Sequence, residues 1–342
     1  MRERAAPGGS PGVRAADLIF LTRPLLLCVS SAFFFAGACR GFAPAAVALW
    51  PAAISAMARN FSLFTLIVAS SFVINQVFDV ESDRLNQKNF IIGSGLLRRW
   101  EAAALCAALS LAALVVAFGS ASPVRELGIA GLALGFAYSA PPVRLKGRPL
   151  ADMLANGLGF GLLGFAFGWL SVLPYEDSML IKAAPYALAM CAVFLLTTIP
   201  DEAGDRSAGD RTTCVVMGKE RVARAGLVML VAAGGAGLAT GEAPCVLGAA
   251  ASLPAFIAAA AEPSLEMSVL AGQFAGRVFF AVMCVAAPQL AVLGALAYWL
   301  SKTYYARRLG LDYPRIEGAS VKARKSPCRA GGCRSTPLRS GL

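Results

Sequence analysis

The chain has 342 residues, 57% of them hydrophobic and 15% charged, with a net charge of +11 and no histidine. That balance is too apolar for an ordinary soluble domain and points to a membrane protein. The lack of histidine excludes imidazole general bases, the triads that depend on one, and histidine ligation of zinc or haem.

Residues 1–16 are polar and rich in Gly and Pro, and are expected to be a disordered N-terminus. A bilayer crossing takes roughly 20 mostly apolar residues. Such spans are predicted near 18–39, 60–79, 99–119, 124–140, 149–172, 180–199, 221–240, 243–261 and 273–300, about nine in all. The segment 43–59 either extends the second span or lies in the interface. The small residues before Cys39, behind a basic flank, resemble a lipoprotein cleavage site. The eight later spans need no secretion signal, so cleavage is not expected. Residues 304–342 form a basic tail, expected to be disordered. Cys28, Cys106, Cys191 and Cys284 fall inside apolar spans as small buried hydrophobes. Cys328 and Cys333 are wrongly spaced for a zinc knuckle, and no metal or redox role is expected for sulfur.

Loop charge orients the bundle. With the N-terminus in the cytoplasm, the inner loops carry Arg84, Lys88, Arg98 and Arg99, then Arg144, Lys146 and Arg148, then Arg206, Arg211, Lys219, Arg221 and Arg224. The opposite loops are poor in Lys and Arg, as the positive-inside rule requires. One feature disagrees: nine spans put the tail outside, yet it carries Lys302, Arg307, Arg308 and Arg315. Either the span count is off by one or the tail is an exception.

The second span ends in NQVFDVESDR, residues 75–84. Asn75, Asp79 and Asp83 follow one another at i, i+4, i+8, along one helix face and about 6 Å apart in rise. The sixth span ends in DEAGDR, with Asp201 and Asp205 again at i, i+4. Both clusters fall at cytoplasmic span ends. Glu81, Glu202 and Asp210 read as solvated helix-end acids. Carboxylates crowded at a membrane edge repel one another and resist desolvation. A divalent cation relieves both costs, and Mg²⁺ is typically held by one or two carboxylates plus substrate phosphates. Two facing sites suit a diphosphate bridged by metal ions. Arg84, Arg206, Arg144 and Lys146 are then candidate phosphate clamps, although positive-inside topology also accounts for many of them.

These residues resemble the UbiA-type membrane prenyltransferases. The match rests on NxxxDxxxD at 75–83, YSAPPVRLKG at 138–147 and DEAGDRSAGDRTT at 201–213, in that order over roughly residues 18–300. The resemblance implies an all-α bundle of about nine transmembrane helices around a central cavity open sideways to lipid, in a domain over 17–303. It makes Asn75, Asp79 and Asp83 the first metal and diphosphate motif and Asp201 and Asp205 the second, with Mg²⁺ as cofactor. Tyr138, Arg144 and Lys146 belong to the loop that closes over the diphosphate. Many members continue the first motif with Asn-x-Pro-x-Arg-Pro. Here LNQKNFIIGSG keeps Asn86 and loses both prolines and the arginine, leaving Lys88 as the substitute cation and the acceptor undefined.

The expected reaction is ionisation of a polyprenyl diphosphate and attack by an aromatic acceptor, as in quinone biosynthesis. Lys146, Arg144 and Arg84 stabilise the leaving charge, and Tyr138 and Asn75 shield the allylic cation. The active site is expected to face the cytoplasm of a bacterial inner membrane, with lipid and no nucleic acid as neighbours. Asp152 and Asn156 are weaker candidates for acceptor contact, a helix-start role being equally open. The glycine-rich 156–168 either leaves room for the isoprenoid or packs closely against neighbouring helices. A glycerol phosphate or phosphoribosyl transferase and a terpene cyclase remain alternatives. A transporter ranks last, since its acids would lie near mid-span. A CDP-alcohol phosphotransferase is disfavoured, its Asp-Gly-x-x-Ala-Arg run being absent.

Overall fold

A computed structural model of the chain describes residues 11–41, 50–80 and 91–313. Every regular element among them is helical. The first column is α1 (Pro11–Leu21) and α2 (Pro24–Ala38), broken at Arg23, whose φ of 55° lies in the left-handed region. The break has a local cause: Pro24 disfavours the right-handed helical conformation in the residue before it. α3 (Trp50–Phe78) follows, so from residue 50 the segment 43–59 does extend the second span. Then come α4 (Arg99–Phe118) and α5 (Val124–Ser139). The fifth column is α6 (Ala151–Asn156), a π-helical turn over Gly157–Leu162 and α7 (Leu163–Trp169). α8 (Asp177–Thr198) leads through a 3₁₀ turn at Ile199–Asp201 into the short α9 (Glu202–Ala208) and α10 (Thr213–Met217). The chain closes with α11 (Lys219–Thr240), α12 (Ala243–Ala261), α13 (Leu265–Ala286) and α14 (Gln289–Leu309).

Eight of the described helical stretches are long and apolar enough to cross a membrane. α5, at 16 residues, and the more polar α14 complete the bundle. Large apolar side chains face outward around its perimeter, with Leu238 72% and Val285 84% exposed. Such a surface suits lipid and not water.

Two sequence expectations change here. The span expected over 273–300 is two helices, α13 and α14. Pro288 lacks the N–H a continuous helix needs, and Ala287 before it leaves helical geometry at φ −136°, ψ 78°. The extra reversal brings the end of α14 back to α1: Tyr304 donates to Asp17 Oδ1 at 2.7 Å, and Arg308 donates to both carboxylate oxygens at 3.1 and 3.0 Å. It also removes the parity conflict, since Arg307 and Arg308 now lie at the end of the bundle that carries the other basic loops. The disordered assignments of 1–16 and 304–342 fail at their inner edges as well. Residues 11–16 and 304–309 are helical, and Asp17, Tyr304 and Tyr305 are buried. Residues 1–10 and 314–342 lie outside the described residues.

Packing follows the small residues. A Cβ on Gly168 would fall 1.8 Å from the carbonyl oxygen of Phe34, and one on Gly37 would fall 2.0 Å from that of Phe165, so α2 and α7 touch backbone to backbone. Gly161 meets the backbone of Ala187 on α8 in the same way, at 2.5 Å. Of the two readings of 156–168, close packing therefore describes Gly161, Gly164 and Gly168, while Gly159 lines the central cavity. Polar pairs tie further columns together: Ser70 to Ser110 at 2.7 Å between α3 and α4, and Asn60 to Ser171 at 3.1 Å.

Candidate active site

α2, α3, α5, the fifth column, α8 and α13 surround a cavity of about 1070 Å³, walled largely by apolar side chains. Its polar rim is where the sequence motifs meet. Asp79 continues the ladder of α3, its N–H donating to the Asn75 carbonyl at 2.9 Å, so Asn75 and Asp79 share a face as their spacing predicts. The Asn75 amide donates to Asp79 Oδ2 at 2.5 Å. Asp79 is 1% exposed, yet it carries two cations from a loop some 65 residues away. Lys146 pairs with Oδ2 and Arg144 Nη2 donates to Oδ1 at 3.3 Å.

That loop is held in a defined shape. Arg144 has φ 38°, ψ 63°, a left-handed conformation that is unfavourable for a side chain bearing a Cβ. Asp210 offsets the strain by accepting a bidentate pair from Arg144, Nε at 3.1 Å and Nη2 at 2.8 Å. Asp210 is thus not the solvated helix-end acid its sequence context suggests. Gly209, at φ 81°, closes α9 and turns the chain so that the Asp210 N–H meets the Asp205 carbonyl at 2.9 Å. The hydrogen bond from Arg144 to Asp210, joined by the charges of both carboxylates, raises the Arg144 pKa above its ordinary value. Burial works against the Lys146 charge. The Asp79 carboxylate, with smaller help from Tyr138 and Asp205, more than offsets it and holds the Lys146 pKa above the usual lysine range.

The second motif faces the first. Asp205 is 2% exposed and lies within electrostatic reach of Lys146, Asp201, Asp210 and Asp79. Its Oδ1 is buried and has no hydrogen-bond partner among the described residues. This orphaned oxygen, among three further carboxylates beside Lys146, fits a hard divalent cation. No group of three metal-ligating side chains forms among the described residues. An ion held by Asp201 and Asp205 would complete its shell from substrate phosphate and water, as Mg²⁺ commonly does.

The remaining candidates divide. Tyr138 and Asn156 line the cavity side by side, near Lys146 and Asp79. Arg206 does not join the rim: it pairs with Glu202 one turn away at 2.8 Å and its side chain is 61% exposed. Asp152 does not reach the cavity either. Buried at 1%, it accepts from the Thr213 N–H at 2.8 Å, from the Thr213 hydroxyl and from the Met153 N–H at 2.7 Å, and so clasps α6 to α10. Asp83, Arg84 and Lys88 lie outside the described residues. Sequence reasoning missed Asp210 and Thr213. The only signal for Asp210 was its place five residues beyond the DxxxD pair, which spacing on a single helix does not interpret.

Residues 25–264 match the UbiA prenyltransferase family. A probable chloroplastic homogentisate phytyltransferase 2 of Oryza sativa subsp. japonica is 29% identical over 50% of this chain and 48% of its own length. The chain thus spans about half the length of that relative. A digeranylgeranylglyceryl phosphate synthase of Halobacterium salinarum is 34% identical over 64% of this chain and 75% of its own. The solved structure of a UbiA homolog from Archaeoglobus fulgidus bound to GPP and Mg²⁺ superposes with a TM-score of 0.56, covering 84% of this chain and 98% of that one at 18% identity. The family model spans well over half of the chain, and the chain belongs to the UbiA prenyltransferase family.

Proposed function

We propose that the protein transfers a polyprenyl group from an allylic polyprenyl diphosphate to an aromatic acceptor, in the manner of prenylquinone biosynthesis. The reaction depends on Mg²⁺ and takes place at the cytoplasmic face of a cell membrane. The observation that carries this reading is the clustering of Lys146, Arg144, Asp79 and Asp205 beside Asn75 and Tyr138, which line a large apolar cavity. Charged head and apolar tail of one substrate match those two surfaces.

Lys146 and Arg144 sit on Asp79 and can exchange that carboxylate for phosphate oxygens, while Asp210 keeps the Arg144 fork in place. Asp201 and Asp205 would hold Mg²⁺ with the diphosphate, and Asn75 and Asp79 of α3 would hold it from the other side, together with Asp83, which lies outside the described residues. Mg²⁺ bound there would supply positive charge to offset that of the leaving diphosphate. Tyr138 and Asn75 flank the carbon that loses it, where an aromatic face stabilises positive charge. The apolar walls exclude water, so the cation is captured by the acceptor. A carboxylate of the rim or the released diphosphate takes the ring proton. Orientation follows the positive-inside rule, since the rim lies among the Lys- and Arg-rich loops.

A glycerol-phosphate acceptor is the second reading, favoured by the archaeal relative. Purified protein in detergent with Mg²⁺, labelled geranylgeranyl diphosphate and both acceptor classes separates the two. Transfer to a phenolic acceptor supports the first reading. Diphosphate release without any acceptor would indicate a cyclase, and failure to turn over any prenyl donor would sink the class.

A further inference from the structure

We propose that Arg277 on α13, presented by Gln273, anchors an oxyanion of the acceptor, a carboxylate or a phosphate, inside the cavity; this rests on the transferase reading above. Arg277 lies 12 residues after the start of α13 and nine before its end, so about 18 Å and 13 Å from the two ends. It is therefore a mid-span arginine. Charged side chains at such depth are costly and mark functional sites by default. Its side chain is exposed to the cavity that it lines.

Its surroundings are shaped for a ligand. Gln273, one turn away, accepts from Arg277 Nη2 at 3.0 Å, which orients the guanidinium. A Cβ on Gly276 would meet nothing within 4 Å, and one on Gly272 would make only ordinary contacts, at 3.7 Å, with Leu196 and Thr197. The GQFAGR stretch is thus a hollow in the cavity wall with a positive floor.

Depth decides what fills it. Gly272 packs level with Leu196 and Thr197, just short of Asp201. Arg277 is five residues further along an antiparallel helix, which puts it roughly 14 Å from Asp201 along the bundle axis. The diphosphate already has Lys146 and Arg144 at the rim. The allylic cation is repelled by a guanidinium. An oxyanion carried by the acceptor is the substrate feature this group can hold, through the fork geometry that matches carboxylate and phosphate.

Equilibrium binding to the purified full-length protein tests it, with 4-hydroxybenzoate and its methyl ester as one pair of probes. Geranylgeranylglyceryl phosphate and the dephosphorylated alcohol form the other pair. Wild type should prefer the anionic member of one pair by about 10-fold or more, and Arg277→Gln should abolish that preference while leaving the neutral member unchanged. Arg277→Lys should restore part of it. The pair that responds identifies carboxylate or phosphate. Equal binding of both members in each pair by wild type would overturn the proposal, as would equal losses for both members in Arg277→Gln. Unchanged binding of geranylgeranyl diphosphate with Mg²⁺ by the variant shows that it is folded. Absence of prenyl transfer by wild type counts against the proposed reaction and leaves these affinities to judge Arg277.

Discussion

Asp79 stands where two elements meet: Asn75 comes from its own helix, and Lys146 and Arg144 from the loop after α5. In the proposed reaction, phosphate oxygens would compete with this buried carboxylate for the same two cations. Asp79→Asn should lower prenyl transfer by about 100-fold or more, the scale of losing an electrostatic group at a charge-developing centre. Assay of labelled product checks this, and a variant with full turnover would remove Asp79 from the machinery. Asp152 makes the contrasting case. Its bonds to Thr213 are structural, so Asp152→Ala should cost about 2–3 kcal/mol through unsatisfied donors. The fall in melting temperature should come without a change in acceptor KM for the folded fraction. A KM effect at unchanged stability would return Asp152 to the acceptor site.

At the scale of elements, glycine contacts set how closely the columns approach. Gly168→Ala would force a Cβ against the Phe34 carbonyl, where the neighbour is backbone and cannot yield cheaply. The expected loss is about 1–3 kcal/mol from overpacking. Gly159→Ala, whose Cβ would meet only Leu134 at 3.6 Å, should leave stability nearly unchanged. Thermal melts of the two variants compare them directly, and equal melts would refute the packing account. The far end of the bundle is closed by another device. Glu242, fully buried, pairs with Arg40 and accepts from the Tyr186 hydroxyl at 3.1 Å. Arg40→Met should lower stability by about 3–5 kcal/mol, because it leaves a buried carboxylate without its counter-charge. A melt close to wild type would show that Tyr186 alone suffices.

For the molecule as a whole, the cavity and its rim act as one binding site, so donor and metal should stabilise the bundle together. Geranylgeranyl diphosphate with Mg²⁺ at about 100 times Kd should add about 2.7 kcal/mol and raise the melting temperature. EDTA should remove most of that gain and abolish transfer. A donor-induced shift that persists undiminished in EDTA would contradict the role given to Asp201 and Asp205. The pairing of α14 with α1 through Asp17, Tyr304 and Arg308 belongs to this scale too, because it joins the two described ends of the chain.

Apolar runs and i, i+4 acids are local properties, and they survive translation into structure. The helices, the shared face of Asn75 and Asp79, and the DxxxD pair at 201–205 were all legible from spacing alone, because a helix repeats every few residues whatever surrounds it. The break at Pro288 was legible in principle, yet the surrounding apolar run masked it. Other features belong to the tertiary structure alone. Which cations sit on Asp79, why Asp210 is a clamp and Arg206 is not, and that Arg277 faces the cavity all depend on how distant helices pack. A contact across some 65 residues carries no periodic signature. It exists because close glycine packing and loop closure bring α3, the 141–148 loop and α9 to one rim.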